Sequence, residues 1–259
     1  MRIFVCIKQV PDTETKIKLK SDSSGIDETG IKWIMNPYDE YAVEEAIKIK
    51  EARGGTPQVT VVSVGPKTRV SDAIRTALAM GADDGLAIDS PYDVDGFTAA
   101  KLMAAAIKKE GACDLVLTGK LAIDDNASSV SQFVAEFLGL PHTTVVGKLE
   151  VQEGSLIAER EVEGGTREIL KLAGPALIAA NKGLNTPRYA SLPGIMKAKK
   201  KPIKELAPAD LGVAATSLKV KHVNFQLPPE KPPVKMISGD PAAQAKELVN
   251  LLLHEAKVL

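Results

Sequence analysis

The sequence predicts an α/β protein, in which helices cover a mostly parallel sheet that continues into added antiparallel strands and an extended C-terminal arm ending in a helix. Three observations support this class. Up to about residue 140, short β-branched or leucine-rich runs alternate with segments of helical periodicity. Between about residues 143 and 181, turns such as Glu153-Gly154-Ser155 separate runs typical of antiparallel strands. Beyond residue 185 prolines accumulate, and helical periodicity returns only after Asp240.

Three apolar runs are predicted to form buried parallel strands. They cover residues 3–10, 58–64 and 114–118, and each leads into a turn and then a helix. Continuous apolar character is expected of strands whose two faces are both covered.

Four helices are predicted from capping residues and periodicity. The first begins after Asn36, with Pro37 at its first position and Asp39 in its first turn, and it ends near Gly54. The second has Val70, Ile74, Ala77 and Leu78 on one face and stops at Gly81, the third spans about residues 96–109, and the fourth stops at Gly139.

The chain is expected to divide into an α/β domain over residues 1–184 and a C-terminal arm over residues 185–259. The terminal helix begins after the N-cap Asp240 and carries Leu248, Leu251 and Leu252 on one side. Such an arm needs another surface to lie on, which predicts a partner subunit.

Composition argues against several functional classes. The 33 basic and 33 acidic residues balance, so no overall charge favours nucleic acid. Cys6, Cys113 and three scattered histidines have no metal-ligand spacing, and no metal site is expected. No apolar run approaches the length of a membrane span and the N-terminal segment has no cleavage pattern, so an intracellular protein without membrane insertion is expected.

Three segments are predicted to meet at the carboxyl ends of the parallel strands, where open sheets bind ligands. They are residues 6–10, 63–66 and the loop 119–129, which leads into the fourth helix. Amide groups at that helix start, the hydroxyls of Ser128 and Ser129, and Lys120 are suited to a phosphate. Alternatively, Ser128 or Asp125 merely caps the helix. No Walker or GxGxxG motif occurs, which disfavours ATP hydrolysis and a simple dehydrogenase.

Groups for covalent catalysis are scarce. Adjacent carboxylates such as Asp124 and Asp125 more often make cap and solvent contacts than an acid/base pair. Cys6 is expected to be a buried strand residue. Binding and contact, rather than covalent catalysis, are therefore predicted.

The segment 185–201, NTPRYASLPGIMKAKKK, is predicted to dock a partner. Leu192 precedes Pro193 and Gly194, and neither a helix nor an interior strand is expected for this tripeptide. Leu192 would then be exposed beside a run of lysines, as an apolar anchor with a charged rim. The alternative is an ordinary surface loop whose lysines keep it solvated.

Six motifs in order resemble the β-subunit of electron-transfer flavoproteins over essentially the whole chain. They read VCIKQVPD (5–12), MNPYDEYAVEEA (35–46), AIRTALAMGAD (73–83), DLVLTGKLAIDD (114–125), EREVEGGTREILKLAGPALIAA (159–180) and NTPRYASLPGIMKAKKKPI (185–203).

The resemblance implies an adenine-nucleotide-binding type of sheet in an obligate heterodimer. The α-subunit would hold most of a redox-active FAD, and this chain would bind AMP with no redox role. Tyr38 would approach the flavin ring. The implied cofactor-binding residues are Cys6, Asn36, Pro37, Tyr38, Asp39, Val64, Gly119, Lys120, Leu121, Ala122, Ile123, Asp124, Asp125, Asn126, Ala127, Ser128, Ser129 and Val130.

The resemblance also implies partners. Leu192 would anchor a recognition loop on acyl-CoA dehydrogenases, and electrons would pass through FAD to a flavoprotein-quinone oxidoreductase. The implied docking residues are Tyr189, Leu192, Pro193, Ile195, Met196 and Lys197. The chain would be an electron-carrier subunit rather than an enzyme, in the bacterial cytoplasm or, in a eukaryote, in the mitochondrial matrix.

Two departures from the family bear on the nucleotide. Many AMP-holding members have an Asn-Gln-Thr type sequence where this chain has residues 127–130, Ala-Ser-Ser-Val. Electron-bifurcating members, which bind a second FAD and oxidise NADH, usually have Asp-Gly-Asp-Thr-Ala-Gln-Val, and here Asp125 replaces the glycine. A side chain there crowds a diphosphate, which favours AMP. The bifurcating subunit remains the alternative, and the long arm argues against a stand-alone nucleotide sensor.

Overall fold

The computed structural model describes residues 1–91, 94–213 and 218–259 of the 259-residue chain. Its contacts group the chain into two compact units. One comprises Met1–Ile17 with Asp27–Val223, and the other comprises Lys18–Ile26 with Asn224–Leu259. The division into domains 1–184 and 185–259 stays a prediction.

The first unit contains a sheet in which β1 lies between β4 and β6. The strands are β1 (Arg2–Cys6), β2 (Gln9–Pro11), β3 (Trp33–Met35), β4 (Gln58–Gly65), β5 (Asp84–Asp89), β6 (Leu115–Gly119), β7 (His142–Gln152), β8 (Ser155–Glu161), β9 (Arg167–Ala173), β10 (Ala176–Ala180) and β11 (Ile203–Leu206). Nine of these form one sheet in the order β11-β5-β4-β1-β6-β10-β7-β8-β9. Pairing is parallel from β11 to β7 and antiparallel from β7 to β9.

Helices cover both faces of the parallel part. They are α1 (Pro37–Ala52), α2 (Lys67–Met80), α3 (Gly96–Glu110), α4 (Val130–Leu138) and α5 (Leu192–Ala198), while α6 (Pro241–His254) lies in the second unit. In β1, Ile3 and Val5 pack with α1 and α2, whereas Phe4 and Cys6 pack with α3 and α4. Both faces of β1 are therefore buried, as its continuous apolar run predicted.

Capping residues mark the starts of α3 and α6 and the end of α4. Asp95 accepts a hydrogen bond from the Thr98 amide at the start of α3, and Asp240 accepts one from Ala243 at the start of α6. Gly139 ends α4 in the left-handed conformation, with φ of 70°. The predicted starts and stops of these helices are thus confirmed to within a few residues.

The predicted strand over residues 3–10 is wrong as a single element. β1 ends at Cys6, and β2 turns away to pair antiparallel with β3. The Lys8 amide donates to Asp39 Oδ2 at 2.7 Å, and the Lys8 carbonyl accepts from the Asn36 amide at 2.9 Å. Because the start of α1 takes both backbone groups of Lys8, the run cannot continue in the sheet.

Other departures involve strands with weak patterns. β5 contains Gly85 and has an aspartate at either end, and the short edge strand β11 has two charged residues in its middle, so neither was predicted. β10 lies in the region predicted to be antiparallel but pairs parallel with β6 and β7.

The tripeptide at residues 192–194 is helical, contrary to prediction. Ser191 is the N-cap of α5, and its hydroxyl accepts from the Gly194 amide at 3.1 Å. Proline lacks only a donor that the first turn of a helix leaves unpaired, so Pro193 is compatible with this position.

Across residues 1–91, 94–213 and 218–259, no helix combines the length and apolar character needed to cross a membrane.

Candidate functional site

A cleft opens at the carboxyl ends of β1, β4 and β6. The chain runs from β1 to β4 and β5 on one side and returns to β6 on the other, so the cleft lies where the strand order reverses. It brings together thirteen of the predicted cofactor-binding residues: Cys6, Asn36, Asp39, Val64, Gly119, Lys120, Leu121, Ala122, Asp125, Ala127, Ser128, Ser129 and Val130. Pro37, Tyr38, Ile123, Asp124 and Asn126 belong to the same segments but are not among its lining residues.

The segment 6–10 was predicted to reach this site, and Ile7, Lys8 and Gln9 do line the cleft. Six other lining residues were not predicted: Val94, Gly96, Ala99, Met103, Thr118 and Ser131. Half of these six lie in α3. The sequence signal that could have found Thr118 is its position at the end of a strand that leads into the cleft.

Two polar side chains at the start of α1 fix the cleft walls. Asn36 donates through Nδ2 to the Leu121 carbonyl at 2.8 Å, and its Oδ1 accepts from the Ile123 amide at 3.2 Å. Asp39 accepts from the Lys8 amide at 2.7 Å and from the Gly119 amide at 3.0 Å. Asn36 therefore binds the loop after β6 instead of capping α1, and Asp39 ties the end of β6 to the segment after β1.

Burial controls the ionisation of Asp39. Loss of water raises the pKa of its carboxyl to about 7, although hydrogen bonds from the Lys8 and Gly119 amides favour the charged form. The neutral acid is thus favoured in the folded state relative to the unfolded chain, so this group lends stability that is complete at acid pH and is lost as pH rises towards 7.

We expect the unfolding free energy to fall by about 2–3 kcal/mol between pH 5 and pH 8 because of Asp39 alone. An Asp39→Asn variant lacks this titration, so its stability deficit relative to the parent should shrink over that range. Urea unfolding at both pH values measures the difference. Asp72→Asn, on the exposed side of α2, is the matched control and should keep the parental pH dependence; an Asp39→Asn deficit that does not change with pH would contradict the prediction.

The loop between β6 and α4 has an unusual backbone. Asn126 and Ser128 both have positive φ, 51° and 49°, which costs energy outside glycine and is typical of ligand-binding loops. Asp125 Oδ1 accepts from the Ala127 amide at 3.0 Å, and the Ser128 hydroxyl donates to the Lys120 carbonyl at 3.1 Å. Both side chains therefore fold the loop.

Neither side chain caps α4, so the capping alternative is wrong. Ser129 occupies the N-cap position and makes no side-chain cap bond. Ser131, in the first turn, donates to the Gly119 carbonyl at 3.2 Å and lies 2.8 Å from the Thr118 hydroxyl. The first amide groups of α4 thus donate no hydrogen bond to the side chain of the N-cap residue. Amides left open in this way at a helix start can bind an anion.

Two lysines, Lys8 and Lys120, line the cleft. Lys8 Nζ contacts Asp124 at 2.8 Å and Asp125 at 3.2 Å, so the adjacent carboxylates share a cation. Lys120 Nζ lies 4.9 Å from the centre of the Tyr38 ring, a cation–π distance. The charge of Lys8 is therefore offset by two carboxylates, whereas the Lys120 ammonium is placed to attract an anionic ligand.

The residues at the cleft suit binding better than covalent chemistry. Burial raises the pKa of the Cys6 thiol far above its usual range, so the reactive thiolate is disfavoured. In the described part of the chain, no group of three or more His, Cys, Asp or Glu residues is arranged to hold a metal ion.

The predicted docking residues lie on and just before α5. Leu192 is 73% exposed, as predicted, and Tyr189 is 99% exposed. Pro193, Ile195, Met196 and Lys197 are also exposed, and the cationic Lys199 and Lys200 follow. Together they form an apolar surface with a basic rim.

The fold and cleft define a class: a doubly wound α/β protein with a cleft at its topological switch point. Within that class, the model of the electron transfer flavoprotein domain matches residues 24–211. A relative from Bacillus subtilis, "Electron transfer flavoprotein subunit beta", is 44% identical over all of both chains. Proteins of the same name from Bradyrhizobium diazoefficiens and Homo sapiens are 40% and 42% identical, covering 100% and 89% of this chain and 100% and 90% of their own. The chain belongs to the electron transfer flavoprotein family, among its β-subunits.

Proposed function

We propose that this chain binds AMP in the cleft and pairs with an α-subunit that holds most of the FAD. The heterodimer carries electrons from acyl-CoA dehydrogenases to a flavoprotein-quinone oxidoreductase, as in fatty acid β-oxidation. FAD supplies the redox chemistry when bound. This chain contributes binding and orientation, with Tyr38 on the flavin side. The compartment proposed is the bacterial cytoplasm, or the mitochondrial matrix in a eukaryote.

The observation that carries the nucleotide proposal is the way Asp125 is held in the cleft. One carboxylate oxygen accepts from the Ala127 amide and the other pairs with Lys8 Nζ. The side chain cannot swing away without losing both contacts. The second phosphate of a diphosphate, if it lay beside residue 125, would meet the bulk and negative charge of the Asp125 side chain. A single phosphate can bind instead at the start of α4 and to the amides of the loop 119–129. This favours AMP over a second FAD.

Cofactor content tests the nucleotide proposal. The chain is co-purified with its α-subunit and denatured, and the released FAD and AMP are quantified by chromatography. We expect one FAD and one AMP per heterodimer. Two FAD without AMP, together with flavin reduction by NADH, would instead make this chain half of a bifurcating site and overturn the argument from Asp125.

The docking proposal rests on α5. An exposed aliphatic side chain on a short helix that ends in exposed lysines suits an apolar pocket with an acidic rim. The C-terminal arm is proposed to lie on the α-subunit: α6 leaves Leu248, Val249 and Leu253 exposed, at 49%, 48% and 42%.

Leu192→Ala is expected to slow reduction of the heterodimer by a reduced acyl-CoA dehydrogenase by about tenfold, because the apolar anchor is lost. FAD and AMP content should not change. Stopped-flow flavin absorbance measures the rate. The matched control is Ile169→Ala on β9, since Ile169 is also aliphatic and 70% exposed but lies at the far edge of the sheet. Equal rates for the two variants would disprove docking at Leu192.

A further inference from the structure

Helix α5 is tied to α2 at its C-terminal end by an arginine. Arg75 Nη1 donates to the Ala198 carbonyl at 2.5 Å and to the Lys201 carbonyl at 2.6 Å. The Ala198 carbonyl also accepts from the Lys201 amide at 3.2 Å. The guanidinium adds a charged donor at the end of α5 and complements the helix dipole. Arg75 thus caps α5 from the neighbouring helix.

Lys201 returns the same contact in the opposite direction. Its Nζ donates to the Leu78 carbonyl at 2.9 Å and to the Ala82 carbonyl at 2.5 Å, at the end of α2. Unlike the exposed Lys199 and Lys200, Lys201 is half-buried. Arg75 of α2 therefore caps α5, and Lys201, three residues beyond the end of α5, caps α2. The two contacts together form a reciprocal clamp.

Close backbone packing accompanies the clamp. A Cβ atom on Gly194 would lie 2.5 Å from the Ala79 carbonyl oxygen of α2, which shows that the first turn of α5 rests directly on the end of α2. Ala198, at the other end of α5, is 3% exposed and belongs to the core. Leu192 and Met196, by contrast, remain 73% and 56% exposed. One side of α5 thus packs on α2, while Leu192 and Met196 on its other side are exposed to solvent.

We propose that Arg75 and Lys201 are positioning residues, which hold α5 on α2 so that Leu192 and Met196 meet their partner as a preformed apolar knob. The proposal deepens the docking function above and rests on it. The partner is a protein whose apolar pocket is rimmed by acidic side chains, since Lys197, Lys199 and Lys200 flank the knob. A segment that is ordered beforehand binds more tightly because binding does not have to pay for ordering it.

Hydrogen exchange on the intact heterodimer tests the clamp directly. The Ile195 amide, which donates to the Ser191 carbonyl at 2.9 Å, should exchange much more slowly than an unstructured peptide in the parent protein. In Arg75→Gln it should exchange at least about tenfold faster, because α5 loses its cap. Exchange of the parental α5 amides at the unstructured rate would overturn the proposal without reference to any partner.

Steady-state kinetics with an acyl-CoA dehydrogenase tests the consequence. Arg75→Gln should raise the KM of the dehydrogenase for the heterodimer about fivefold or more and change kcat less than twofold, because a loosened knob weakens docking. Arg75→Lys keeps one cationic donor, so its KM should lie between that of the parent and that of Arg75→Gln. Thr76→Ala, the adjacent exposed position of α2, is the matched control and should leave exchange and KM unchanged.

A second variant, Gly194→Ala, tests the same proposal in case Arg75→Gln folds poorly. Gly194→Ala places a methyl group against the Ala79 carbonyl and should lift α5 from α2, with the same rise in exchange and in KM. Leu192→Ala separates the two claims. A raised KM for Leu192→Ala with parental KM values for Arg75→Gln and Gly194→Ala would overturn the positioning role alone, whereas parental KM values for all three would overturn docking at α5 as well.

Discussion

Gly119→Ala is expected to destabilise the protein by about 3 kcal/mol or more and to remove AMP from the purified heterodimer. Gly119 ends β6 at the floor of the cleft, where the start of α1 packs against it. A Cβ atom there would lie 2.3 Å from Asp39 Oδ1 and 2.7 Å from the Tyr38 carbonyl carbon. Overpacking of this severity exceeds what small side-chain adjustments absorb.

Relief is difficult because the clashing atoms are themselves held. Asp39 accepts from the part-buried amide of Lys8 and from the buried amide of Gly119 itself, so moving its carboxylate leaves both amides without this partner. Moving Tyr38 shifts the first turn of α1 and, with it, Asn36, which holds the loop after β6. Stability and ligand site should therefore fail together.

Thermal unfolding and nucleotide content measure the two effects. With about 2–4 °C per kcal/mol for a protein of this size, the midpoint should fall by roughly 6–12 °C. Gly147→Ala is the matched control, because a Cβ there meets only Glu161 Oε1 at 3.8 Å, an ordinary contact. Parental melting and AMP content in Gly119→Ala would show that α1 can withdraw from β6, contrary to the packing argument.

The sequence predicted what depends on local rules. Helices α2, α4 and α6 follow from an apolar stripe together with Gly81, Gly139 or Asp240 at one end, and each signal lies within a few residues of the element it sets. The buried strands β4 and β6 follow from uninterrupted apolar runs. Strands β5 and β11 have weak hydrophobic patterns of their own. They form because an adjacent strand offers backbone hydrogen bonds: β4 pairs with β5, and β5 pairs with β11.

Long-range contacts account for the remaining departures. The run after Cys6 leaves the sheet because Lys8 bonds to Asp39, 31 positions away. The turn at Leu192 is helical because Ser191 caps it and α2 lies beneath it. Position after a strand was enough to predict the loop at residues 119–129, but not that Asn36 would hold this loop from 85 positions away. No periodicity in a single sequence encodes such pairs.

Arg188→Met is expected to lower the free energy of unfolding by about 2–3 kcal/mol, because it removes the guanidinium that pairs with two carboxylates. Arg188 Nε and Nη2 donate to the two carboxylate oxygens of Glu44 at 2.8 and 2.9 Å, and Nη1 donates to Glu51 at 2.6 Å. These carboxylates hold the pKa of Arg188 well above its usual range. The Glu44 side chain is only 6% exposed, so the variant strands a buried carboxylate without its cation.

Glu51→Gln provides the contrast, because the same guanidinium meets a side chain that is 57% exposed. That change should cost less than about 1 kcal/mol, since water replaces the lost contact. Urea unfolding measures the free energy of unfolding of both single variants and of the double variant Arg188→Met/Glu44→Gln. The double variant should be more stable than Arg188→Met, because it leaves no unpaired buried charge at position 44. Equal losses for Arg188→Met and Glu51→Gln would mean that Glu44 reaches water when its partner is removed, and that burial at α1 does not set the strength of this contact.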